Sequence, residues 1–375
     1  MASRAQEHRG AGTDAAAARG DQPVALSPAD ARALGLDLEA VSAWMGRQGI
    51  ATPARLGARR LHGGRSNLTF ELFGDDGFRC VLRRPPLGTL LPTAHDMGRE
   101  WRFLAALWPT GFPVPRPLAH CADEAVIGAP YYVMELVDGV VVGDEADAAA
   151  LSPEARHAAS INLVRTMAAL HRFDAHALSL GDPAKADTHL TRQLHRWKAQ
   201  VDAVADPCGG VEIARSYARL SSAAPDLAVP GVVHGDFRLG NALIEPSTGA
   251  IQAILDWEIA TVGNVLIDIG WLVASWHGPD RIDADTPESL RGFPPRADVA
   301  RLYAELMDLD PEALSYFVAF NHWRIACVTS GVVARAEAGA LGTPLAELAA
   351  LKASVVEHVA EAERMLDGSA PGGGT

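Results

Sequence analysis

The sequence predicts an α+β chain of two lobes, a small β-rich N-lobe with one main helix followed by a large, mostly helical C-lobe. Three observations carry that reading. Short apolar runs split by Gly, Pro and Asp turns crowd the stretch before Asp138-Gly139. From Ala297 to Leu366 the pattern is almost continuously helical, with breaks at Asp308–Pro311 and Gly339–Pro344. At 375 residues, 48% hydrophobic and 21% charged, the chain is long enough to build two cores.

The elements follow in order. Residues 1–24 are rich in Ala, Gly, Arg and Gln without apolar periodicity, and a disordered leader is expected there. Ser27-Pro28 opens a helical segment in which Leu34, Leu36, Leu38, Val41, Trp44 and Met45 make an apolar stripe, ended by Gly49. Strands are predicted at Ala54–Leu61, Ser66–Phe73 and Phe78–Arg84, the last two joined by the turn Gly74-Asp75-Asp76-Gly77. Between the first two lies His62-Gly63-Gly64-Arg65-Ser66-Asn67, whose small residues let backbone N–H groups approach a phosphate. A helix over Ala94–Trp108 shows Met97, Trp101 and Leu104 on one face and is stopped by Pro109 and Gly111. The stiff run Pro113–Pro117 leads to a strand at Leu118–Cys121, and Pro130–Val137 is the last strand of the N-lobe. The N-lobe is thus set at residues 25–137, the C-lobe at 138–367, and a disordered tail at 368–375.

In the C-lobe, Gly143-Asp-Glu-Ala-Asp reads as an acidic connector, and Ser152-Pro153-Glu154 is a helix start. That helix extends to Phe173, with further helices over Thr188–Val204 and Val211–Ser222. Gly231-Val232-Val233 is strand-like, and Gly263-Asn264 caps a helix beginning near Val265.

Composition removes several classes of function. A formal charge of -13 argues against a nucleic-acid partner, which needs a basic surface. No run approaches the 18 apolar residues of a membrane span, the N-terminus lacks a signal pattern, and a cytoplasmic location follows as the default. Cys80, Cys121, Cys208 and Cys327 form no CxxC pair, so neither zinc nor a disulfide framework is indicated. Oligomeric state is not legible. Lysine is rare: Lys185, Lys198 and Lys352 are the three in the chain, and arginine takes the cationic roles.

The chemistry concentrates in Val233–Asn241 and Ile254–Glu258. Ala242–Glu245 and Ala250–Leu255 are apolar runs separated by Pro246-Ser247-Thr248-Gly249, which reads as a β-hairpin. Folding about Thr248-Gly249 sets Asn241 beside Asp256 at the open end, with Asp236 five residues earlier in the loop. Two carboxylates and an amide, all oxygen donors, suit Mg²⁺ better than zinc. Asp236 is left to accept a proton.

The order His234-x-Asp236, then Asn241, then Asp256 at the far end of a hairpin resembles the catalytic loop and metal site of kinase-like phosphotransferases. His-Gly-Asp and Asp-Trp-Glu are similar to the aminoglycoside phosphotransferase and choline kinase branch. Asp256–Gly263 and Asp268-Ile-Gly-Trp-Leu272 resemble the kinase domains of acyl-CoA dehydrogenase family members 10 and 11 and their free-standing bacterial relatives. The resemblance runs from about residue 30 to about residue 360 and implies a protein-kinase-like fold.

It also implies roles. Asp236 would act on the acceptor hydroxyl, Asn241 and Asp256 would hold Mg²⁺, and Gly63, Gly64, Ser66 and Asn67 would lie in the phosphate-covering loop. Arg83 stands where kinases carry a phosphate-binding lysine, and Glu100 is its candidate partner. Asp268 would brace the catalytic loop by accepting its backbone hydrogens, with His171 structural. Arg324 and Arg335 could face an anionic acceptor or form ion pairs. Trp257, Trp271 and Trp276 are read as core packing. The nucleotide would be ATP, with GTP left open. The acceptor would be a small molecule, a hydroxyacyl-CoA by the nearer resemblance or an aminoglycoside or amino alcohol by the wider one. The missing lysine leaves room for a nucleotide-binding pseudokinase without turnover, and His234, Asp236 and Asp256 for a metal-dependent hydrolase.

Overall fold

The computed structural model of the chain describes residues 24–61, 67–87, 96–276, 287–339 and 345–368. The expected leader up to Pro23, the tail beyond Gly368, and Gly63, Gly64 and Ser66 lie outside the described residues. Backbone contacts divide the chain into two compact units. One comprises residues up to Trp101 together with Pro115–Leu136; the other comprises Arg102–Val114 and everything from Val137 onward.

The first unit is built on a five-stranded antiparallel sheet of β1 (Gly57–Arg60), β2 (Leu68–Phe73), β3 (Arg79–Arg84), β4 (Pro117–Cys121) and β5 (Tyr131–Met134), in the order β1-β2-β3-β5-β4. Phe70 faces Leu82 and Leu72 faces Cys80 across the β2–β3 pair. These side chains, with Tyr131 and Val133, bury against Val41, Trp44 and Met45. Strand alternation turns the intervening residues, Thr69, Arg83 and Tyr132, to the opposite face. Arg84, one residue on, goes the other way: Nε donates to the Pro85 carbonyl at 3.2 Å, and Nη1 donates to the carbonyl of Gly35.

That contact explains a departure from the predicted single N-terminal helix. The segment folds as α1 (Pro28–Ala33) and α2 (Leu38–Arg47). Gly35 sits between them at φ +72°, and a Cβ there would meet the Arg84 guanidinium. Asp37 then starts α2 afresh, its carboxylate accepting from the Glu39 and Ala40 N–H groups at 3.1 Å. The predicted helix after the third strand is α3 (Met97–Leu107).

The second unit is mainly helical: α4 (Glu145–Ala149), α5 (Pro153–His171), α6 (His189–Asp202), α7 (Gly210–Ser222), α8 (Leu266–Ser275), α9 (Arg296–Met307), α10 (Ser315–Glu337) and α11 (Leu345–Gly368). α5 starts as its sequence demands, with Pro153 in the first turn and Ser152 Oγ accepting from Ala155 N–H at 3.1 Å. The acidic connector runs into the short helix α4, which Asp144 caps by accepting from Asp147 N–H at 2.9 Å. α8 and α10 cross closely: a Cβ on Gly270 would lie 2.4 Å from the Phe317 carbonyl oxygen, and Asn321 Nδ2 donates to the carbonyls of Ile267 and Phe317 at 3.0 and 2.8 Å.

Two short ribbons carry the loops between these helices. β6 (Pro230–Val233) pairs antiparallel with β9 (Thr261–Asn264), a strand the sequence reading placed in a helix cap. Asn264 does both jobs, since its Oδ1 also accepts from Leu266 N–H at 3.2 Å at the start of α8. β7 (Ala242–Ile244) pairs with β8 (Ile251–Ile254) as the predicted hairpin. Its turn closes between Glu245 and Ala250, one residue earlier than predicted, and a register shift within the pair returns part of the slip. Asn241 therefore lies opposite Leu255, whose N–H donates to its carbonyl at 2.8 Å, one residue before Asp256. Among the described residues no helix is long and apolar enough to cross a membrane.

Candidate active site

Of the described site residues, Asn67, Arg83 and Glu100 belong to the first unit and Asp236, Asn241 and Asp256 to the second. In the first, Glu100 in the opening turn of α3 is buried, and three side chains converge on its carboxylate. Arg83 Nε lies 2.9 Å from Oε2, Tyr132 donates its hydroxyl to the same oxygen at 2.7 Å, and Asn67 Nδ2 donates to Oε1 at 2.9 Å. The expected pairing of Arg83 with Glu100 is present. Asn67, placed by sequence in a phosphate-covering loop, contacts the carboxylate of that pair. Tyr132 adds a partner that sequence pattern alone does not announce, because it comes opposite Arg83 only through the pairing of β3 with β5.

In the second unit the loop after β6 is fixed by Asp268, fully buried on α8. Its Oδ2 accepts from His234 N–H at 2.6 Å and its Oδ1 from Gly235 N–H at 2.7 Å. Burial pushes its pKa up, but His171 and His234 and the N–H bonds outweigh that and hold the carboxyl below the ordinary Asp range. His171 spans from Asp268, at 3.4 Å, to the Tyr303 hydroxyl of α9, at 2.7 Å, which is the structural part expected of it. His234 is equally committed: Nδ1 accepts from Asp236 N–H at 3.2 Å and Nε2 donates to the Leu255 carbonyl at 2.9 Å. With both ring nitrogens on main chain, His234 ties the loop to the hairpin end and offers nothing to a metal, which removes the hydrolase reading built on it.

Asp236 emerges from this loop with donors on both oxygens. Asn241 Nδ2 donates to Oδ2 at 2.7 Å and to the Asp236 carbonyl at 2.8 Å, and Arg238 Nε lies 3.4 Å from Oδ2. Trp271 Nε1 donates to Oδ1 at 2.9 Å. Packing alone therefore does not account for Trp271, whereas Trp257 and Trp276 are buried as expected. Trp257 packs its ring against His234 with centroids 4.7 Å apart and donates to the Ile254 carbonyl at 3.0 Å. Asp256 adopts φ +67°, a left-handed conformation that non-glycine residues take where the surroundings impose it.

The two arginines left open by sequence part company. Arg335 is exposed. Arg324 is buried on α10, its Nη2 donating to the Gly235 carbonyl at 3.2 Å, and burial pushes its pKa down to about 10 against the pull of Asp236 and Asp268.

The chemistry of the donors can be tested against Mg²⁺. The Asn241 amide nitrogen is taken by Asp236, so its carbonyl oxygen is the atom available to a cation. With the Asp256 carboxylate this is an all-oxygen pair, which fits Mg²⁺.

Residues 57–317 match the phosphotransferase enzyme family, most of the length of the chain. The chain belongs to that family. Relatives of this phosphotransferase-family chain include acyl-CoA dehydrogenase family member 11 of Gallus gallus, 33% identical over 75% of the chain, and member 10 of Mus musculus, 31% identical over 76%. The chain spans 37% and 27% of those proteins. In fold it is similar to a Ralstonia eutropha protein provisionally named an aminoglycoside phosphotransferase, at 29% identity and a TM-score of 0.73 over 88% of this chain and 98% of that one. Choline kinase from Cryptosporidium parvum is 12% identical with a TM-score of 0.58 over 84% and 92% of the two chains. An amicoumacin kinase solved with AMP-PNP and Ca²⁺ is 18% identical with a TM-score of 0.53 over 83% and 88%. The fold is kinase-like, with a small antiparallel-sheet lobe and a mostly helical one.

Proposed function

We propose that the chain transfers the γ-phosphoryl group of ATP to a hydroxyl of a small molecule. The observation that carries this is the Asp236 carboxylate, held by Asn241 and Trp271 on a loop whose main chain is bonded to buried Asp268. Of roughly four lone-pair directions on a carboxylate, these donors and Arg238 occupy three. The remaining one accepts the acceptor's hydroxyl hydrogen, orienting the oxygen for in-line attack and taking its proton.

Asn241 and Asp256 would hold Mg²⁺. The ion, when bound, draws charge from the phosphate oxygens. Arg83, fixed by Glu100, Tyr132 and Asn67, presents its guanidinium to phosphate oxygens, and the sequence resemblance assigns phosphate binding to Gly63, Gly64 and Ser66 as well. Arginine and not lysine in this place is the one feature favouring a nucleotide-binding pseudokinase. The intact Arg83–Glu100 pair supports the active reading.

For the acceptor, the acyl-CoA dehydrogenase relatives support a hydroxyacyl-CoA, and the aminoglycoside phosphotransferase neighbours an aminoglycoside or amino alcohol. AMP-PNP in the amicoumacin kinase supports ATP, with GTP as the alternative donor. The acidic charge favours a small-molecule partner over nucleic acid or a membrane surface, and free thiols at Cys80, Cys121, Cys208 and Cys327 support a reducing, cytoplasmic setting. The test is Mg²⁺-dependent ATP and GTP consumption against hydroxyacyl-CoA esters, aminoglycosides, choline and homoserine. Acceptor-dependent turnover is expected, and in Asp236→Ala kcat should fall by about 10²–10⁴ while nucleotide binding persists. Wild-type turnover in that variant would overturn the role of Asp236. Nucleotide binding with no turnover on any acceptor, unchanged by Arg83→Lys, would favour the pseudokinase.

A further inference from the structure

Trp271 and Arg324 are separated in sequence from the catalytic loop, lie on different helices, and are both directed at it. We infer that they form a positioning device for Asp236: the Trp271 indole N–H sets the plane of the carboxylate, and Arg324 holds both the indole and the loop backbone in place. The inference rests on the reading of Asp236 as the group that accepts the hydroxyl proton.

A carboxylate on a two-bond side chain rotates freely unless both oxygens are held. Asn241 holds Oδ2 from within the same loop; the Trp271 N–H at 2.9 Å holds Oδ1 from α8. An indole N–H suits the task because it donates only and does not titrate. It fixes the acceptor lone pair without competing for the proton.

Trp271 is only half-buried and needs support of its own. The Arg324 guanidinium lies 4.4 Å from the centre of its ring and 5.4 Å from that of Trp197 on α6. Arg324 also donates to the Gly235 carbonyl at 3.2 Å, with Nη1 3.4 Å from Asn321 Oδ1. The two peptide groups flanking the Gly235 Cα are thus each held, the N–H of one by Asp268 and the carbonyl of the other by Arg324. Among the described residues no carboxylate lies within ion-pair distance of Arg324, so this costly buried cation touches aromatic faces and carbonyl oxygens and meets the charges of Asp236 and Asp268 only at longer range. A purely structural site would be served as well by an apolar side chain.

The decisive probe needs no acceptor. In protein labelled with ¹⁵N-tryptophan, the indole signal missing from Trp271→Phe is that of Trp271. It should shift in Asp236→Asn and in Arg324→Met, while the signals of indoles remote from the loop stay in place. Insensitivity of that signal to Asp236→Asn would overturn the inference. Kinetically, Trp271→Phe keeps the ring and removes the N–H. It should lower kcat about ten- to hundredfold, measured with an active acceptor or with water as acceptor in MgATP hydrolysis, while KM for MgATP stays within about twofold. Arg324→Lys should recover part of what Arg324→Met loses. Trp271→Phe at wild-type kcat beside an inactive Asp236→Ala would sink the positioning role alone. Full turnover in Asp236→Ala would sink the underlying reading and the inference with it.

Discussion

At the scale of single residues, Asp268 shows how a buried charge is kept ionised. Two main-chain N–H groups and an imidazole face it, so its pKa in the fold lies below the ordinary value of 3.8. The stabilisation it gives is therefore complete above that value and lost as pH falls through the lower folded-state one. Asp268→Asn places an amide NH₂ against one of the backbone donors and should cost about 3 kcal/mol, read as a drop in the urea midpoint. Asp256 illustrates a different economy of residue choice. A non-glycine residue at φ +67° keeps its carboxylate where a glycine would give an easier backbone. Asp256→Ala should weaken nucleotide binding in Mg²⁺ about tenfold or more, with little change when the metal is chelated; equal affinities in both conditions would argue against a metal role.

At the scale of elements, the crossing of α8 with α10 depends on Gly270. A methyl group there meets the Phe317 carbonyl at 2.4 Å, backbone that cannot swing aside. Gly270→Ala should destabilise by about 1–3 kcal/mol, seen as a lowered Tm, and should reduce turnover as well because Trp271 is the next residue. Helices such as α5 were legible because capping and periodicity are local signals, and Ser152-Pro153 displays both. β9 was not, since four residues including a glycine gain strand character only by pairing with β6 some thirty positions away. The same distance hid part of the candidate site. Asp236, Asn241, Asp256 and Asp268 stand in a recognisable order, and Arg83 and Glu100 could be paired by strand alternation and helix position. The Trp271–Asp236 bond crosses 35 positions between a helix and a loop. No periodicity announces such a contact, and a tryptophan in an apolar run reads as core until its N–H is given a partner.

At the scale of the whole molecule, acid sensitivity should begin well above the carboxylate range. His189 on α6 is buried, its Nδ1 accepting from Asn264 N–H at 3.1 Å, and burial lowers its pKa to about 4. The folded chain then binds fewer protons than the unfolded one between pH 6.5 and about 4. The stability this neutral imidazole contributes is full above pH 6.5 and declines across that window, by up to about 3 kcal/mol. Chemical denaturation at several pH values should trace the decline, and His189→Gln should flatten it; an unchanged slope would show that other groups set it.

The grip of Asp268 on the catalytic loop also bears on time. Surface loops ordinarily give up their amide hydrogens to deuterium within seconds to minutes, because they open locally. The amides of His234 and Gly235 point into a fully buried carboxylate, and His171 and Tyr303 fasten that carboxylate to two further helices. They can exchange only when α8 and its neighbours come apart. A segment with no regular structure should thus be among the slowest to label, so that the clock of the loop is the clock of the core.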